Sequence, residues 1–155
     1  MFGKMPDQTS VRLARYRTLV QACAVMNFRQ VSRSVTARFD DQLRPAGLRA
    51  TQLNLLMAIE AGAATSVTGL AEILAMDRTT MTRSLKLLRD RGLVEKTRIA
   101  LTEKGRRSAA AALPLWEKAQ AEILGGLGQK RWAALLSELA AVKDLLEGRS
   151  HRRQS

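Results

Sequence analysis

Apolar residues recur at three- to five-residue steps from about Ser10 to Leu43, through Leu19, Cys23, Met26, Val31, Val35 and Phe39, with no Pro or Gly between. That spacing predicts one long helix. A helix of roughly thirty residues is long for a globular chain. So small a protein cannot cover it, and its apolar edge is expected to meet a second copy. Arg44-Pro45-Ala46-Gly47 ends it, because Pro disfavours helix at the residue before it and Gly permits the turn. A second helix starts near Thr51, a candidate cap, with Leu53, Leu56, Met57 and Ile59 on its apolar face, and Ala61-Gly62-Ala63-Ala64 breaks it.

Thr68 can cap a short helix from Gly69 to Leu74 that turns Leu70, Ile73 and Leu74 inward. Asp77 then caps a longer one that Gly92 terminates. Met81, Leu85 and Leu88 line one face of it, and Arg78, Thr79, Thr82, Arg83, Lys86 and Arg89 the other. A short helix, a tight turn and a capped helix with a basic outer face is a helix-turn-helix pattern. Leu93–Lys96 and Thr97–Leu101 read as two short β segments, a wing. Its two-residue turn, Lys96-Thr97, lacks the Gly, Asn or Asp that such turns favour. Thr102 caps the next helix, which Pro114 should kink or divide and Gly125-Gly126-Leu127-Gly128 should end. A last helix runs from about Gln129 to Leu146, with Trp132, Leu135, Leu136, Leu139, Val142 and Leu146 as its stripe.

The predicted fold is mainly α with a small β-wing: a winged helix-turn-helix lobe over 48–105, and a helical dimerisation lobe formed by 1–47 and 106–155. Residues 1–9 read as an arm, and Arg149–Ser155 as a frayed tail.

Charge sharpens this picture. The net charge is +12, which points to a polyanion. Residues 78–107 hold ten Lys/Arg against three Asp/Glu, whereas 108–155 hold seven against five. The basic excess therefore centres on the helix opened by Asp77. A face so poor in carboxylates suits phosphates and base edges better than bulk water. The candidate DNA contacts are Thr68, Arg78, Thr79, Thr80, Thr82, Arg83, Lys86, Arg89 and Arg98. A bland alternative is an ordinary basic surface helix in a helical interaction module that binds no nucleic acid. That reading explains the long amphipathic helices but not the concentration of cations.

Other classes lack their chemistry. The single His151 falls in the tail, so nucleophilic catalysis has no base. One Cys and one His cannot form a usual structural zinc site. Asp40 and Asp41, adjacent on a helix, point about 100° apart and are a poor catalytic pair. No enzyme activity, cofactor or metal is expected. No apolar run approaches the roughly 18 residues of a membrane span, the N-terminus has no hydrophobic signal region, and one Cys allows no internal disulfide. The expected compartment is the cytoplasm, with no membrane partner.

The run Met76-Asp77-Arg78-Thr79-Thr80-Met81-Thr82-Arg83-Ser84-Leu85, then Leu88-Arg89-Asp90-Arg91-Gly92-Leu93-Val94-Glu95, then Leu101-Thr102-Glu103-Lys104-Gly105, resembles the MarR family of bacterial transcription regulators. The order of elements matches across nearly the whole chain. The resemblance implies a homodimer joined through helices from both chain ends, binding double-stranded DNA at a pseudo-palindromic operator. It also implies a repressor released by a small aromatic or phenolic effector or by an oxidant. The family wing usually carries a longer loop with an Asp-x-Arg element whose Arg enters the minor groove. Here Glu95-Lys96 runs straight into Thr97-Arg98-Ile99. Either the wing is truncated or residues are missing there, and the poor turn chemistry favours the second; Arg98 is the nearest candidate for the wing arginine.

Two further features are candidates for regulation. Cys23 could sense oxidants, but mid-helix, with Leu19, Val20, Met26 and Asn27 around it and no cation, it reads better as a small buried hydrophobe. Arg29 and Arg33, one turn apart, could hold a ligand carboxylate bidentately or could simply be solvated.

Overall fold

In the computed structural model, backbone is described for residues 8–152 and side chains for residues 8–146. The arm expected over 1–9 thus falls almost wholly outside the described residues, as does the side chain of His151. Helices follow one another as α1 (Gln8–Ala22), α2 (Ala24–Leu43), α3 (Ala50–Glu60), α4 (Val67–Ile73), α5 (Arg78–Asp90), α6 (Glu103–Leu127) and α7 (Gln129–Arg152).

The first long helix of the sequence reading is two. Cys23 leaves helical geometry, with φ −68° and ψ 114°. No Pro or Gly causes the break. Instead the Asn27 side-chain amide donates to the carbonyls of Gln21 and Cys23, each at 2.9 Å, and so stabilises the interruption. A short polar side chain competing for backbone groups has this effect, and the apolar spacing gives no sign of it. Cys23 is therefore half-buried at a break rather than buried mid-helix.

A 3-10 turn, Arg44–Ala46, follows α2, and Gly47 at φ 64° redirects the chain. Helix α3 is capped both by a residue of α2 and by one of its own first turn. Asp40 on α2 accepts from Ala50 N at 2.7 Å, and Gln52 Oε1 accepts from Arg49 N at 3.1 Å. Thr51 is not the cap. The cap of α4 is Ser66, whose Oγ accepts from Gly69 N at 3.0 Å, so Thr68 lies inside the helix. Ile73 faces solvent at 52% exposure, contrary to the inward position expected of it. Pro114 does not divide α6, which continues through Gly125 and Gly126 to end at Gly128, φ 79°. Helix α7 runs past Leu146 to Arg152.

The core gathers Phe39 and Leu43 of α2, Leu53, Leu55, Leu56 and Ile59 of α3, Leu70 of α4, and Met81, Leu85 and Leu88 of α5. Ala112 and Ala119 of α6 close it, and the Phe39 and Trp116 rings meet at 5.9 Å. Helix α6 packs on α2 and α3, and α5 on α4. Among the described residues α1 has no buried side chain and packs on α2, while α7 packs on α6.

The expected strand pair is reduced to one antiparallel bridge, Val94 with Leu101. Glu95 N donates to Ala100 O at 2.9 Å, and Thr102 N to Leu93 O at 3.1 Å. The loop is therefore four residues, Lys96–Ile99, and not a two-residue turn at Lys96-Thr97. A loop of that length closes without positive φ, and none occurs in it. The four residues close the loop by themselves, and among the described residues no strand forms on either side beyond the single bridge.

Candidate nucleic-acid interface

Helix α5 is anchored at both ends. Asp77 Oδ1 accepts from Thr80 N at 2.8 Å, and Oδ2 accepts from Thr80 Oγ1 at 2.6 Å. These bonds, the hydroxyl first, hold the Asp77 carboxyl below its ordinary value. At the far end Arg91 donates to Gln52 Oε1 at 3.2 Å and to Gly47 O at 2.8 Å, tying the C-terminus of α5 to the start of α3. Buried Met81, Leu85 and Leu88 fix the rotation of the helix about its axis.

That rotation exposes Arg78, Thr79, Thr82, Arg83 and Lys86 on one surface, as the spacing predicts. The side chains of Arg78, Thr79 and Arg83 have no hydrogen bond or ion pair among the described residues. Thr82 Oγ1 donates to Arg78 O at 2.8 Å and keeps its acceptor capacity outward. Three expected contacts are differently placed. The Thr80 hydroxyl proton is spent on the cap. Lys86 pairs with Asp90 at 2.7 Å. Arg89 is half-buried, its Nε donating to Glu95 O at 3.0 Å, so it ties the hairpin to α5 rather than standing free. Thr68 is exposed on the first turn of α4.

Arg98 lies on the four-residue loop and is folded back. Its Nε and Nη2 donate to the two oxygens of Glu95 at 2.5 and 2.7 Å. This fork-to-fork pair holds the Glu95 carboxyl below its usual range and raises Arg98 above its own. Between α5 and the hairpin lies a cleft of about 590 Å³ lined by Thr82, Lys86, Arg89, Asp90 and Lys96. Sequence reasoning took Lys96 only as a turn residue. Its place in a basic run beside Arg98 was the available signal.

Away from this surface, Arg29 and Arg33 are exposed and line a shallow cavity of about 390 Å³ with Met26, Gln30 and Ser34. Residues 8–39 carry six arginines and no carboxylate, a second basic run that the sequence reading passed over. Of these, Arg38 pairs with Glu122 of α6. Asp40 and Asp41 have structural duties, Asp40 capping α3 and Asp41 pairing with Arg44. Among the described residues no cluster of His, Cys, Asp or Glu has metal-binding geometry, and no helix is long and apolar enough to cross a membrane.

A profile of the MarR family matches residues 46–106, the stretch from the 3-10 turn through α5 and the hairpin. The transcriptional regulator MosR of M. tuberculosis is 33% identical over 83% of this chain and 98% of its own, with a TM-score of 0.72. A structure of MosR in complex with DNA aligns at 32% identity, over 81% of this chain and 97% of that one, with a TM-score of 0.70. The transcriptional repressor CouR bound to p-coumaroyl-CoA is 25% identical over 81% of this chain and 94% of its own, with a TM-score of 0.75. No curated protein sequence matches the chain.

Proposed function

The chain belongs to the MarR family of transcriptional regulators, and from that premise we propose that it acts as a homodimer on a pseudo-palindromic DNA operator, as a repressor. The carrying observation is the outer face of α5: Arg78, Thr79 and Arg83 are exposed and unpaired among the described residues, on a helix whose opposite face is locked into the core. Arginine can read guanine bidentately and a threonine methyl can pack on thymine, and the N-terminal turns of such a helix reach base edges. The solved DNA complex of MosR supports this reading for a relative of the same fold.

In this proposal residues 48–105 form the DNA-binding region, with the hairpin as a reduced wing, and 1–47 and 106–155 form the dimerisation region. Thr68 and Lys86 meet phosphates. No residue has a catalytic role, and the protein works in the cytoplasm. The effector site is the cavity at Arg29 and Arg33, whose paired guanidinium groups suit a ligand carboxylate or phosphate. The ligand-bound structure of CouR gives a relative with a small-molecule ligand. Sequencing the fragments that the purified protein retains from sheared DNA of its own genome tests the reading. A shared inverted repeat is the expected result, and retention without any common sequence refutes it.

A further inference from the structure

Four residues, Lys96–Ile99, project beyond the Glu95–Ala100 hydrogen bond. Two residues out and two back carry the tip at most about 7 Å past that bond. The base of the hairpin is pinned to the last turn of α5 by Arg89 Nε on Glu95 O. The middle of a minor groove lies about 17 Å along the duplex from the middle of the neighbouring major groove, half of a ~34 Å helical turn. A sugar–phosphate strand runs between them. With α5 in the major groove, that strand is the first part of the duplex that the tip meets. Arg98 cannot extend the reach at no cost, because its fork is closed on Glu95. Releasing it would leave a carboxylate facing phosphates.

The cleft behind the tip has the opposite character. Lys86, Arg89 and Lys96 outnumber Asp90 along its walls, and Lys96 has no partner among the described residues. We infer that this cleft seats the sugar–phosphate strand between the two grooves, with Lys86 on one side and Lys96 on the other. Operator sequence is then read through the major groove alone. Glu95 enforces this by holding Arg98 back. The inference rests on the DNA-binding reading of α5 and narrows it.

The test uses the full chain and duplexes it selects from a random-sequence library. These are remade with inosine for guanine and 2,6-diaminopurine for adenine, which exchanges the minor-groove amino group and leaves the major-groove edges unchanged. The expected Kd stays within about threefold of the natural duplex, well below the effect of one lost base contact. Lys96→Ala is expected to weaken selected and unselected duplexes equally and to reduce the slope of log K against log salt by about one. A larger change with the substituted bases, or a wild-type salt slope in Lys96→Ala, overturns the inference while leaving the regulator reading intact. A library that yields no preferred sequence refutes both.

Discussion

Leu85 on α5 and Leu139 on α7 both sit on apolar stripes at helical spacing, yet Leu85 is 1% exposed and Leu139 39%. The contrast holds region by region. Every buried apolar side chain described lies between Phe39 and Ala119. Outside that stretch, Tyr16, Leu19, Val20, Leu135, Leu136 and Leu139 all face solvent. Helix α5 is covered because α4 folds back on it, and α3 because α6 crosses it. Among the described residues α1 packs mainly on α2, and α7 on α6. A stripe at helical spacing thus states that a face must be covered, and leaves open whether this chain or another does the covering. Here the two halves divide along that line, and the uncovered half is suited to a second copy.

Breaking the uncovered half should have the largest effect. Leu135→Glu with Leu139→Glu places two carboxylates on the open face of α7 and touches nothing in the core. The expected product is a folded monomer of 17.1 kDa in sedimentation. Its affinity for a two-half-site duplex should fall roughly 100-fold or more, because the second half-site no longer binds intramolecularly. A double variant that still sediments as a dimer would place the interface elsewhere.

Within the covered half, position 105 is the sharpest probe. Gly105 stands where the first turn of α6 crosses the hairpin, and a Cβ there would collide with the backbone carbonyl of Leu93. The carbonyl cannot move away freely, since it accepts from Thr102 N. Gly105→Ala is expected to lose about 3 kcal/mol of stability, at the upper end of overpacking effects. Leu85→Ala should lose about 2–5 kcal/mol by leaving a cavity among Met81, Leu88 and their neighbours. Urea unfolding monitored by far-UV circular dichroism measures both. A loss under about 1 kcal/mol at Gly105 would mean that the hairpin shifts easily on α6.

How far the molecule was legible follows from the same division. The α5 face was readable because Asp77, the Met81-Leu85-Leu88 stripe and Gly92 are all local signals, and the structure places its exposed cations where the spacing puts them. The break at Cys23 was not readable, since it depends on which way the Asn27 side chain turns. Caps supplied from a distance were also hidden. Asp40 is ten residues from the Ala50 amide it accepts from, so Thr51 looked the better candidate. The roles of Arg89 and Arg98 needed the hairpin register, which a two-residue turn had misplaced. Composition predicts that a cation is present, and only the fold shows which carboxylate or carbonyl has already engaged it.

Two cations on α5 sharpen the comparison at the DNA surface. Arg83 is unpaired among the described residues and lies in the first half of the helix, whereas Lys86 shares its charge with Asp90. Arg83→Ala is expected to lose about 1–3 kcal/mol on a selected duplex and to relax base preference at one position per half-site. Lys86→Ala should weaken all duplexes alike, and by less, because an exposed ion pair already offsets part of its charge. Binding titrations on selected and random duplexes at several salt concentrations separate the two. Equal loss on both duplexes for Arg83→Ala would remove it from base reading.

The smallest expected effect is a pH dependence at the start of α5. Asp77 caps the helix through Thr80, and its carboxyl is held below the ordinary 3.8, the Thr80 hydroxyl contributing most. A depressed folded value means that the ionised form is favoured in the folded state. The stabilisation is therefore present in full above the unfolded value, and it is lost as pH falls through the folded one. Asp77→Asn keeps an acceptor for the Thr80 amide and removes the titration. Melting temperatures of wild type and Asp77→Asn, followed from neutral pH downward, should differ most at neutral pH and converge in acid. Glu95 shifts in the same direction through Arg98, so the experiment is best run in a Glu95→Gln background. Curves that remain parallel through the acid range would show that the Asp77 cap does not depend on its charge, and that the amide acceptor alone fixes where α5 begins.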